Sequence, residues 1–209
     1  MKTSRILAIG AASALMVVAL PATAMAADTV RSGDYTVAAG QVVRGDLTVK
    51  NGTVTIHGTV TGTVRQSGTG GVYVGTRGEV DGSVSESGSG GVVVRGEVDG
   101  NVTEKGDGGV RVSGDVDGNV SEYDAGGVVI ERAGEVDGNV TERSSGGLRI
   151  SGGVDGNAIE TGSGNLTVEA RAEIDGNVSE RDSGDLVIRR GADIEGKVSE
   201  SGAGSLIRR

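Results

Sequence analysis

The sequence predicts an all-β fold: a single-stranded, three-sided β-helix (a solenoid) of about nine coils, 18–20 residues each, over residues 27–209. Three observations carry this. A valine or isoleucine preceding an Asp-Gly-Asn-like step recurs at Val42, Val60, Val80, Val98, Val116, Val136, Val154, Ile174 and Ile194. Between these markers apolar and polar residues alternate with a period of two, the signature of a strand with one buried face. Glycine, 40 of 209 residues, falls at fixed points of the repeat, while only 1% of residues are aromatic, too few for a core of large interlocking side chains. Self-similarity at this period marks units that bury their apolar face only by stacking on one another.

The first 26 residues form a separate element. Lys2 and Arg5 precede an apolar stretch, Ile6 to Leu20, which Pro21 breaks and Ala24-Met25-Ala26 follows. This is the layout of a secretory signal peptide cleaved between Ala26 and Ala27. A retained anchor is the alternative, but the stretch covers only about 22 Å at ~1.5 Å per residue, against a ~30 Å hydrocarbon core. The expectation is a protein with no membrane span after cleavage, located outside the cell or in the cell envelope. Loss of Lys2 and Arg5 takes the net charge from −9 to −11. That balance disfavours nucleic acid and anionic lipid as partners, since both need a basic surface. With no cysteine, the chain has no disulfide, thiolate metal site or thiol chemistry.

Within a repeat, Val92, Val94, Gly96, Val98, Gly100 and Val102 alternate with Val93, Arg95, Glu97, Asp99, Asn101 and Thr103. Glycine among the inward positions reads as a corner, because interior glycine marks a bend or a close backbone approach. Three short strands then surround a narrow, valine-filled shaft. The 20-residue repeats carry a two-residue insertion at one point, as in Ile130-Glu131-Arg132-Ala133-Gly134-Glu135-Val136 against Val94-Arg95-Gly96-Glu97-Val98. Nine coils at ~4.8 Å make a rod about 43 Å long. Glu86, Glu104, Glu122, Glu142, Glu160, Glu180 and Glu200 each lie six residues after a marker, where alternation points inward. Buried ionised carboxylates are prohibitive, so the chain is expected to turn just before them, using stretches such as Ser87-Gly88-Ser89-Gly90-Gly91.

Stacking turns each outward position into a column. One reads Asp81, Asp99, Asp117, Asp137, Asp155, Asp175 and Glu195; its neighbour reads Glu79, Glu97, Asp115, Glu135, Gly153, Glu173 and Asp193. Carboxylates ~4.8 Å apart are hard oxygen ligands, so weak divalent-cation binding, calcium above all, is one reading of Asp81, Asp99, Asp117, Asp137, Asp155 and Asp175. The other is that salt and nearby arginines (Arg77, Arg95, Arg132, Arg171, Arg190) screen them. EF-hand and nonapeptide calcium loops do not fit: Val120 stands where the former needs glycine. Asn101, Asn119, Asn139, Asn157 and Asn177 make a third column, able to hydrogen-bond coil to coil. His57, the only histidine, is expected on the surface, and no nucleophile–base–acid set can be assembled around it. The carboxylates repeat in every coil with none set apart, and no cofactor is implied. These features read as a non-enzyme.

The run Val110-Arg111-Val112-Ser113-Gly114-Asp115-Val116-Asp117-Gly118-Asn119-Val120, and the two-residue insertion, resemble the bactofilins, polymer-forming cytoskeletal β-helices of bacteria. The resemblance spans Tyr35 to Ile207 and implies a right-handed three-sided β-helix that polymerises end to end without nucleotide. Bactofilins are typically cytoplasmic, so this chain would be an exported variant. Thr161–Val168 and Ser183–Ile188 are more weakly similar to adhesin-like secreted β-solenoids. The expected function is a non-catalytic exported scaffold that self-associates through its terminal coils. The alternative is a cell-surface adhesion module binding cell-envelope components.

Overall fold

The structure, a computed structural model, describes residues 27–209; the signal peptide expected over 1–26 lies outside the described residues. Among the described residues 29 short strands, numbered in chain order from β1 (Thr29–Ser32) to β29 (Leu206–Arg208), wind into three parallel sheets of 10, 10 and 9 strands. A representative coil consists of β10 (Val84–Gly88) on the first sheet, β11 (Val92–Val94) on the second and β12 (Glu97–Val98) on the third. The next begins with β13 (Val102–Gly106), whose Val102 and Glu104 lie beside Val84 and Glu86. This is the three-sided β-helix expected from the sequence.

Why these residues make these elements follows from the cross-section. Val84, Val92, Val94 and Val98 point inward and are fully buried, as are their equivalents in neighbouring coils, in one continuous core. Short β-branched side chains suit a shaft this thin, and each buried valine contributes roughly 1.5 kcal/mol or more. At the corners the coils touch through backbone. A Cβ on Gly100 would lie 2.7 Å from the carbonyl carbon of Gly82 one coil below, so only glycine permits that approach. The two-residue insertions fall at the corner between second and third sheets and form tight turns: Gly78 N–H donates to Gly75 C=O at 2.7 Å, Gly134 to Glu131 at 2.9 Å.

Two expectations need correction. In the first coil the inward marker is Val43 rather than Val42: Val43 pairs with Val60 and is 6% exposed, whereas Val42 is 51% exposed. Two adjacent valines satisfy the pattern equally, and only the register chooses between them. The second correction concerns the glutamates. The chain does not turn before them. They continue the alternation of the first sheet and point into the shaft, and Glu86, Glu104, Glu122, Glu142, Glu160 and Glu180 are all 0% exposed. The turn comes after them.

Candidate functional site

Each glutamate lies two residues after the buried residue that opens a first-sheet strand, for example Val102-Thr103-Glu104 with Val and Glu buried on either side of an outward threonine. Its side chain folds onto the glycine-rich turn that follows. Gly108 N–H donates to Glu104 Oε1 at 3.2 Å, Gly126 to Glu122 at 3.1 Å, Gly164 to Glu160 at 3.1 Å and Gly184 to Glu180 at 3.0 Å. The carboxyl thereby satisfies a turn amide that no strand partner reaches, which gives the residue a structural reason to be there.

The second oxygen faces the glutamates above and below. Glu104 Oε2, Glu122 Oε2, Glu160 Oε2, Glu180 Oε2 and both oxygens of Glu86 and Glu142 are buried without a donor. The carboxyl-bearing positions stack in register, Glu86 beside Glu104, then Glu122, Glu142, Glu160 and Glu180. Desolvation, reinforced by the neighbouring carboxylates, pushes Glu104 up to about 8 and Glu160 up to about 9. Glu142 rises to about 7 from the same leading cause, with Glu160 opposing the shift. Burial also raises Glu86, opposed first by Glu104, and raises Glu180, opposed by the Gly184 amide that donates to it. No solvent reaches these side chains. At the start of the column Val49 and then Gln66 replace glutamate. Gln66 Nε2 donates to Gly52 C=O at 3.0 Å and Thr69 C=O at 2.8 Å, so a neutral amide fills the same slot.

Outside, the third sheet carries the two acidic columns as expected, one on each side of its inward valine. Asp81, Asp99, Asp117, Asp137, Asp155 and Asp175 are all exposed. Desolvation and then the like charges around them raise Glu97, Asp99 and Asp137. Among the described residues no three acidic or histidine side chains converge into a group that could hold a metal ion. The arginines expected to screen these columns form no ion pair among the described residues. Arg65 with Asp46 (2.6 Å), Arg111 with Glu131 (2.6 Å) and Arg149 with Glu169 (2.9 Å) do so instead, away from the third sheet. The Arg65 hydrogen bond, followed by that from the Thr63 amide, holds Asp46 below its usual range.

The asparagine column is a continuous ladder: Asn119, Asn139, Asn157 and Asn177 each donate both backbone N–H and side-chain Nδ2 to the Oδ1 of the asparagine one coil earlier, at 2.8–2.9 Å. His57 is exposed, as expected, and lies edge-on to Tyr73 with ring centroids 6.1 Å apart.

The two ends of the described rod differ. At the first coil Arg31 lies over the Tyr35 ring, 5.3 Å from its centroid, at the column position that glutamate holds later. At the last coil β28 (Val198–Gly202) and β29 each pair on one side only, and Leu206 is 44% exposed where its counterpart Leu186 is buried. The buried glutamate column follows the alternation itself, and only the cost of burying ionised carboxylates speaks against it.

The family model of the bactofilins, described as polymer-forming cytoskeletal, matches residues 104–199. No curated protein and no solved structure matches the chain. The coils that precede residue 104 continue the same three sheets in the same register, so the chain is a three-sided β-helix throughout, similar to the bactofilins over residues 104–199.

Proposed function

We propose that this chain is an exported, non-catalytic structural rod that associates end to end with further copies of itself. The observation that carries the reading is the match of residues 104–199 to a family described as polymer-forming cytoskeletal. The uniform parallel pairing of coil on coil supports it, because a strand edge is a template for another strand. The repeated surface, in which every coil presents nearly the same groups, suits a scaffold better than an enzyme, which needs one distinctive cleft. Export rests on the leader-like segment 1–26. Electron microscopy and light scattering of the purified protein over a range of concentrations test the proposal. Filaments, or oligomers that grow with concentration, are expected; a persistent monomer at high concentration would overturn it.

A second reading adds weak divalent-cation uptake along the acidic columns of the third sheet, favoured by the packing of like charges on that one face. Calcium at millimolar concentration and constant ionic strength should then raise the melting temperature, and an unchanged curve removes it.

A further inference from the structure

We propose that the inward glutamate column is a proton-sharing ladder that clamps successive coils together and makes the cohesion of the rod depend on pH. The geometry carries it. Six fully buried carboxyls lie at in-register positions one above another, each with at least one oxygen that no donor reaches. Two ionised carboxylates can offer each other no donor, so the facing oxygens are satisfied only when a proton lies between them. An O–H···O⁻ bond of this kind is among the stronger hydrogen bonds. The acid–carboxylate pair also replaces two buried charges by one.

Nothing else packed against the column neutralises it. Along the first sheet its neighbours are Gln66 at one end and Glu200 at the other, and the turns contribute only backbone N–H groups. The second and third sheets face it with valine, leucine and isoleucine. Among the described residues Asp182, beside Glu180, adds a further charge of the same sign. No lysine, arginine or histidine forms an ion pair with any of the buried glutamates among the described residues. Protons are therefore the available counter-charge, and raising the pH withdraws them to solvent and leaves stacked, dry carboxylates that repel.

The sign follows from linkage. Groups whose pKa lies higher in the folded than in the unfolded chain contribute most below the unfolded value, near 4.5, and lose that contribution as pH rises through about 7 to 9. Two measurements test the ladder, and both read out whether or not rods associate. Infrared spectra of the folded protein at pH 7 should contain the C=O stretch of a protonated carboxylic acid, diminished in Glu104→Gln/Glu142→Gln/Glu160→Gln. The melting temperature should fall by roughly 10 °C between pH 5 and pH 8, with less than half that slope in the triple variant. Single Glu142→Gln, which copies the amide already accepted at Gln66, serves if the triple variant does not fold. A folded protein lacking the protonated-acid band at pH 7, or a melting temperature that holds or rises with pH, would overturn the proposal.

Discussion

Replacing Asn139 by alanine tests whether the outer corner of the rod is held by its amide ladder. Asn139 Oδ1 accepts from the backbone N–H of Asn157 at 2.9 Å and from its Nδ2 at 2.8 Å, while Asn139 Nδ2 donates to Asn119 Oδ1 at 2.9 Å. Asn139→Ala removes all three. The side chain is half-buried, so water recovers part of the loss, and each bond is worth about 0.5–1.5 kcal/mol net. The expected loss is roughly 2–3 kcal/mol, or about 4–10 °C in melting temperature for a chain of this length. Asn139→Asp separates the two roles: it keeps the acceptor for the Asn157 amide and gives up the donor to Asn119, so it should fall between wild type and alanine. Far-ultraviolet circular dichroism during thermal and urea unfolding measures both variants. If Asn139→Ala stays within about 0.5 kcal/mol of wild type, as substitutions at an uninvolved surface site do, the ladder contributes nothing and the reasoning fails.

Other substitutions probe the remaining contacts. Gly126→Ala places a methyl group on the Gly108 carbonyl oxygen of the coil below and should cost more than about 2 kcal/mol, whereas Gly153→Ala meets only the Glu135 side chain at 3.7 Å and should be neutral by the same melting assay. Asp182 adopts φ 93° where the flanking coils have Gly162 and Gly202, so Asp182→Gly should raise stability by about 1 kcal/mol in urea titration. The Arg149–Glu169 pair is exposed, with the arginine 61% accessible, so Arg149→Ala should cost less than about 1 kcal/mol, and the difference should shrink in high salt.

The fold was legible because repetition multiplies a weak signal. One Val-x-Val-x-Gly run is ambiguous, but nine Val or Ile markers at near-constant spacing leave no room for a helix or a sandwich. The asparagine ladder, the exposed His57 and the outward columns of Asp81, Asp99, Asp117, Asp137, Asp155 and Asp175 followed from the same stacking. What the residues did not disclose was protonation. Counting Glu104 and its equivalents as charged makes burial prohibitive and forces an imaginary turn. Counted as acids that share protons and cap a following glycine turn, they belong inside. The choice between Val42 and Val43 was hidden for a different reason, since neighbouring identical side chains carry no phase.

A column of buried carboxyls is tolerable in this architecture for a reason a globular core does not offer. Within a single layer, an inward glutamate has no partner of its own kind, and a lone buried acid gains a turn amide but leaves its second oxygen bare. Stacking places an identical group directly above and below, so the defect of each coil is repaired by its neighbours. The same holds for the asparagines outside, where each Oδ1 is useful only because another coil supplies the donors. Both ladders are thus terms between coils rather than within them, which is where a solenoid's stability resides. At Glu200, in the last described coil, the side chain is only half-buried, whereas the six glutamates before it are fully buried between two coils.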